Sequence, residues 1–145
     1  MQPKKILLAE DDPRDVELIL TSLEDHNLAN DVVVARDGAE ALDYLYRRGQ
    51  FADMPAGHPV VVLLDLKMPK VDGLDVLRAV KQDPALKNIP VVVVTSSREE
   101  QDIVTSYNLG VNAYVVKPVD FYNFVEVVKQ LGLFWVQTNE VPWAW

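Results

Sequence analysis

Glu10 with Asp11, Asp65, Thr95, and Lys117 with Pro118 lie far apart in the chain, yet each follows directly on a short apolar run of strand type. Two or three carboxylates, a hydroxyl and an ammonium gathered at one point would suit a divalent cation held by oxygen ligands and a phosphoryl group beside it. They can meet only if the preceding runs are parallel strands of one sheet, because the strand ends of an α/β sheet share one edge, where ligand sites form.

Each residue alone has an ordinary alternative. Asp12 before Pro13 has the identity of a helix N-cap with Pro at N1 and is assigned to that role. Capping needs one side chain, so Glu10 and Asp11 remain as adjacent carboxylates, and Asp11 is expected to hold a metal directly or through water. Three adjacent acids would repel a bare phosphate, but a hard cation tolerates them. Asp65 could merely open a loop. Its place in the run Asp65-Leu66-Lys67-Met68-Pro69-Lys70-Val71-Asp72-Gly73, with the acidic turn after the first run, moves it to the pocket. Asp72-Gly73 reads as turn and helix-start chemistry, with Gly73 expected to supply a backbone angle closed to other residues. Glu99 and Glu100 fall just inside the next helical stretch, so Ser97 could cap it while Thr95 faces the pocket. Lys117, between a buried run and Pro118, is expected to point its ammonium inward.

The elements that would position these groups are legible as an alternation. Ile6–Ala9, Val32–Ala35, Val60–Leu64, Val91–Val94 and Ala113–Val116 are nearly continuous and rich in β-branched residues, the pattern of strands buried on both faces. Between them Val16, Ile19, Leu20 and Leu23 form a helical stripe, Leu42 with Leu45 and Leu74 with Leu77 mark two more, and Phe121, Phe124, Val125 and Val128 make the last. A βα repeat of roughly twenty-five to thirty residues per unit predicts a parallel sheet with right-handed crossovers. Periodicity leaves the strand order open between the two common doubly wound arrangements.

The chain of 145 residues is one domain's worth and contains no cysteine, which excludes a disulfide framework and thiol chemistry. The apolar run after Met1-Gln2-Pro3-Lys4-Lys5 is too short for a signal h-region or a membrane span, so a cytoplasmic location without membrane association is expected. A net charge of −8 with no block of Lys and Arg argues against nucleic acid as a partner.

Glu10-Asp11, Asp65 with Met68-Pro69 and Asp72-Gly73, Thr95, and Lys117-Pro118 occur in the order and on the elements of the receiver domain of two-component response regulators, which residues 4–131 resemble. That resemblance implies a doubly wound, flavodoxin-like α/β fold with five parallel strands in order 2-1-3-4-5. It implies Asp65 as phosphoacceptor, with Mg²⁺ or Mn²⁺ on Asp11, Asp65 and the backbone carbonyl of Lys67, and Glu10 acting through water. Lys117 would pair with the phosphoryl oxygens, across a cis bond to Pro118. Pro69 and Gly73 would shape the loop after Asp65. Thr95 would move toward the phosphate and Tyr114 turn into the vacated space, repacking the fourth helix, fifth strand and fifth helix. The fourth helix, about residues 98–108, is weakly apolar, with Ile103, Val104 and Tyr107 as its expected anchors. Lys67 and Ser97 would set the lifetime of the phosphoryl group. The chain would assist only its own phosphorylation and dephosphorylation, as a signalling protein and not an enzyme.

The C-terminal end, residues 132–145, departs from a minimal receiver spanning 1–131. A second apolar series, Val127, Leu131 and Phe134, is offset from the core stripe of helix five, and Trp135 and Pro142-Trp143-Ala144-Trp145 follow. These aromatics could cap the domain's own lower end. The reading adopted is that Val127, Leu131, Phe134 and Trp135 serve a symmetric homodimer through the fourth helix, fifth strand and fifth helix. No output domain is expected in so short a tail, so signal would leave through protein contacts. The ending, with the long loop after helix two and Lys117-Pro118-Val119-Asp120-Phe121, resembles stand-alone receivers that serve bacterial phytochrome histidine kinases. His26 and His58 need no role as phosphodonors. Two other readings are a receiver-like interaction module independent of phosphorylation, and a haloacid-dehalogenase-like phosphatase. The phosphatase wants an Asp where this chain has Lys67.

Overall fold

The computed structural model describes residues 4–27 and 31–143. Five strands, β1 (Ile6–Ala9), β2 (Val32–Ala35), β3 (Val61–Leu64), β4 (Val91–Thr95) and β5 (Ala113–Val116), alternate with five helices. These are α1 (Pro13–Asp25), α2 (Gly38–Tyr46), α3 (Gly73–Gln82), α4 (Glu100–Leu109) and α5 (Phe121–Gly132). The sheet is parallel throughout in the order β2-β1-β3-β4-β5, as the resemblance implies. Two apolar cores sandwich it, one around Tyr44, Val76, Leu77 and Val80, the other around Val16, Ile19, Leu23, Phe124 and Val128.

The β-branched runs predict burial on both faces, and that holds for β1, β3 and β4. Strands β2 and β5 are mostly half-exposed. The order makes them edges, covered less completely than the central three. Phe121, placed on the α5 core stripe, is instead 60% exposed at that helix's first turn.

At the sheet's lower edge, Lys81 Nζ donates to the carbonyls of Lys87 and Ile89 and to Asn112 Oδ1, which also accepts from Val91 N. Beyond α5 the backbone widens into a π-helical turn, Leu133–Thr138, whose Val136 carbonyl accepts from Lys4 Nζ at 2.7 Å. Leu131, Trp135, Val136 and Val141 pack on the α1/α5 core, and Trp143 packs on the opposite core with its ring edge to His58, centroids 5.3 Å apart. Leu131 and Trp135, expected at an interface, therefore lie against the chain's own body. Their apolar area is removed from water against the α1/α5 core. Phe134 stays 48% exposed and Val127 half-buried. Ala144 and Trp145 lie outside the described residues.

Candidate functional site

The strand ladder runs one residue past the upper strand ends and fixes the chemistry-bearing residues by their backbones. Glu10 N donates to Ala35 O at 3.0 Å, Asp65 N to Ala9 O at 3.0 Å, and Lys117 N to Thr95 O at 2.7 Å. These bonds put Glu10, Asp65, Thr95 and Lys117 on one edge, as the parallel-sheet argument requires.

Glu10, Asp11 and Asp65 each present a carboxylate oxygen, and the three oxygens lie within 4.8 Å of one another. Opposite ligands in an octahedral Mg²⁺ shell are about 4 Å apart, and hard divalent ions take oxygen donors. The all-oxygen set therefore fits Mg²⁺ or Mn²⁺ with small side-chain adjustments. Glu10 is buried, Asp65 nearly so, and Asp11 exposed.

Lys117 Nζ enters between the acids. It donates to Glu10 Oε1, to Asp15 Oδ2 at 2.8 Å and to Asp65 Oδ2 at 3.3 Å. Burial alone would lower the pKa of this amine; hydrogen bonds to Asp15 and Glu10 and the charge of Asp65 outweigh it and hold the ammonium charged. Burial pushes the Glu10 carboxyl up to about 7, against the opposing pull of Lys117 and with a further push from Asp65. Asp15 was not singled out from the sequence. The available signal was its place two residues after Pro13, in the first turn of the helix that begins above the pocket.

The bond between Lys117 and Pro118 is trans, not cis, and the described residues contain no cis peptide. The trans form of an X–Pro bond is the lower in energy, by about 0.5–1 kcal/mol, unless a turn demands the other. Here Lys117 N keeps its bond to Thr95 O and Nζ reaches the acids without it.

Asp12 caps α1 through Arg14 N at 2.9 Å, and Asp72 caps α3 through Asp75 N at 3.0 Å, both as expected. Gly73 is needed for a different reason than the one expected. Its backbone is not in the left-handed region, but a Cβ there would lie 2.2 Å from the Asp65 carbonyl oxygen and 2.6 Å from Leu66 Cα. The start of α3 therefore presses on the loop that carries Asp65, and Gly73 N donates to Leu66 O at 2.7 Å. In that loop Pro69 O accepts from Val71 N at 2.8 Å, and Lys70, with φ of 67°, reaches Asp37 at 3.4 Å. The side chain of Lys67 is exposed.

Thr95 is fully buried, and its Oγ1 accepts from Ser97 N at 3.3 Å. Ser97 Oγ donates to Asp102 at 2.6 Å and accepts from Glu99 N, while the Ser97 carbonyl accepts from Tyr114 Oη at 3.1 Å. The N-cap of α4 is Glu99, not Ser97, and it makes no side-chain cap bond; Ser97 instead ties the helix start through Glu99 N and the Asp102 side chain. Within α4 only Ser106 is buried; Val104 and Tyr107, expected as anchors, are 50% and 56% exposed because the helix turns that face to solvent.

The chain matches the family model for the response regulator receiver domain over residues 6–129. It is 39% identical to the response regulator Rcp1 of Synechocystis sp. over 98% of this chain and 95% of that protein. The Mn²⁺-bound structure of Rcp1 superposes with a TM-score of 0.90 at 38% identity, covering 97% of this chain and 100% of the other. The phosphorylated cyanobacterial phytochrome response regulator RcpA matches at 42% identity and a TM-score of 0.91, over 98% and 100% of the two chains. The bacteriophytochrome response regulator AtBRR is 61% identical, with a TM-score of 0.77 over 97% and 100%.

Proposed function

Since the chain belongs to the response regulator receiver family and is a response regulator of two-component phosphorelay signalling, we propose that Asp65 is its phosphoacceptor and that Lys117, Thr95 and a divalent cation act on the phosphoryl group. The carrying observation is the convergence of Glu10, Asp11, Asp65 and Lys117 from three strand ends on one small volume.

In the transfer step an Asp65 carboxylate oxygen bonds to phosphorus as the donor's N–P bond breaks, and the imidazole leaves with that electron pair. Phosphoryl transfer asks the protein for in-line positioning and for neutralisation of the equatorial oxygens, and little else. Asp11, Asp65 and the Lys67 carbonyl, with Glu10 through water, would hold Mg²⁺ or Mn²⁺, which would supply positive charge to that end. Lys117 supplies the protein's own positive charge from a site 9% exposed. The product gains roughly −1.5 to −2 charge and three acceptor oxygens. Thr95 Oγ1 turns to meet one of them, and Lys67 and Ser97 flank the path by which water later attacks.

The phosphodonor we propose is a histidine kinase of phytochrome type, because RcpA and AtBRR carry that description and align over nearly the whole chain. We place the protein in the cytoplasm, where such kinases draw on ATP, acting through protein contacts, with residues 1–131 as the receiver and 132–145 as its extension. Homodimerisation through α4, β5 and α5 belongs to this proposal, with Val104 and Tyr107 as exposed apolar surface and Val127 and Phe134 beside it.

The test is intact mass after incubation with acetyl phosphate, comparing wild type with Asp65→Asn, each with Mg²⁺ and with chelator. A single phosphoryl adduct only in wild type with Mg²⁺ is expected. An adduct in the Asp65→Asn protein, or none in folded wild type, defeats the assignment.

A further inference from the structure

An ammonium has three N–H donors, and Lys117 has spent all three. Its acceptors are Glu10 Oε1, Asp15 Oδ2 at 2.8 Å and Asp65 Oδ2 at 3.3 Å. A phosphoryl group on Asp65 brings new oxygens that compete for the same donors, so at least one present bond must be given up. Which one yields follows from burial. The side chain of Glu10 is 2% exposed and that of Asp65 is 11%, whereas Asp15 is 25% exposed on the first turn of α1. Leaving a carboxylate unpaired costs least where water can replace its partner. Asp15 also gains from the helix N-terminus above it, which favours an anion whether or not Lys117 is there.

We propose that Asp15 is a positioning residue that occupies one N–H of the Lys117 ammonium before phosphorylation, while another bonds Asp65, and releases it to the phosphoryl oxygens afterwards. This rests on Asp65 being the phosphoacceptor. Asp15 then sets how much of the attraction between Lys117 and the phosphoryl group is spent on breaking a bond already made. Its contribution is opposite in sign to that of Lys117. Truncating it strengthens the hold on the anion.

The experiment is calorimetric titration of beryllofluoride, a phosphoryl mimic, into the full chain with saturating Mg²⁺, for wild type and for Asp15→Ala, Asp15→Asn and Asp15→Glu. A partly exposed charge pair is worth a factor of a few. The alanine variant is therefore expected to bind about fivefold tighter than wild type. The asparagine variant, whose amide oxygen still accepts from Lys117, should bind only about twofold tighter, and the glutamate variant as wild type. Equal gains for alanine and asparagine would mean simple long-range repulsion and overturn the proposal, as would no gain in either. Should Asp15→Ala fail to fold, Asp15→Leu takes its place: a larger gain than in Asp15→Asn supports the proposal, and an equal gain overturns it. If wild type takes up neither beryllofluoride nor a phosphoryl group from acetyl phosphate, the phosphoacceptor assignment itself has failed, and this inference with it.

Discussion

Replacing Gly73 with alanine tests how tightly the Asp65 loop is held. An added Cβ would meet the Asp65 carbonyl oxygen at 2.2 Å, against 3.4 Å for the near limit of ordinary contact, a shortfall of 3.4 − 2.2 = 1.2 Å. The other close atoms, Leu66 Cα at 2.6 Å and the Asp65 carbonyl carbon at 2.9 Å, are also backbone, so no rotamer change relieves the overlap. Overpacking of this kind costs about 1–3 kcal/mol. Stretching the bond from Gly73 N to Leu66 O adds up to about 1 kcal/mol, and the better helix propensity of alanine returns at most about 1 kcal/mol. The net expectation is a loss of about 1–3 kcal/mol in urea unfolding. The strain falls on the residue that must be in line for attack, and a displacement of about 1 Å there can slow reaction by about a hundredfold. Phosphorylation by acetyl phosphate, followed by intact mass with saturating Mg²⁺, should therefore slow far more than the stability loss suggests. Gly73→Asn separates this from a requirement for left-handed backbone: asparagine tolerates that region but not the overlap, so it should be at least as harmful as alanine. Loss of less than about 0.5 kcal/mol with a rate within about twofold of wild type would refute the close-approach argument.

Two further outcomes follow from side chains at the rim and the lower edge. Lys67 is exposed, and on the proposed assignment it flanks the route of the hydrolytic water, so Lys67→Ala should speed loss of the phosphoryl group by about threefold or more without preventing its formation; an unchanged half-life would sink this assignment. His58 is held below its ordinary 6.5, first by burial and then by the positive charge of Arg47. The native imidazole is thus neutral in a window where the unfolded one binds a proton. Stability should fall as pH drops through about 6.5 toward the folded value and show no His58 contribution above it. Urea midpoints at about pH 7.5 and about pH 5.5 should differ less in His58→Gln than in wild type, and equal differences would contradict a depressed His58.

The upper edge of the sheet was the most legible part of the chain because its signals are local. A β-branched run ends, a polar residue follows, and parallel topology does the rest, so Glu10, Asp11, Asp65, Thr95 and Lys117 could be placed together before any distance was known. What local pattern cannot give is who touches whom across elements. Asp15 sits one helical turn beyond the acids and becomes a partner of Lys117 only because α1 starts directly over the pocket. Gly73 marks the right loop but serves close approach and not positive φ, and a missing Cβ can meet either need. Edge strands were indistinguishable from central ones because burial depends on strand order, which periodicity does not encode. The aromatic tail had two destinations of equal chemistry, a partner or the chain's own lower edge. Trp135 and Trp143 take the second, each on a different core.

The proposed switch depends on contacts across elements in the same way: the sequence points to Thr95 and Tyr114, and the hydrogen bonds that connect them run through Ser97. Its N–H donates to Thr95 Oγ1, its hydroxyl bonds Asp102 in α4 and the N–H of the N-cap residue Glu99, and its carbonyl holds Tyr114 Oη. Helix α4 buries only Ser106 and has no side-chain bond from its own N-cap residue, so packing contributes little to fixing it. Most helical stability in proteins comes from a buried face, and a helix without one is held by its ends. On the proposed assignment Thr95 moves toward a phosphoryl oxygen, and that movement would carry Oγ1 away from Ser97 N. The residue released is the one that restrains both the start of α4 and the Tyr114 ring. Small movement at Thr95 would therefore reach a helix with one fully buried residue and the single hydrogen bond of the Tyr114 hydroxyl, whose ring packs on the core, a coupling of the kind the proposed two-state element would use.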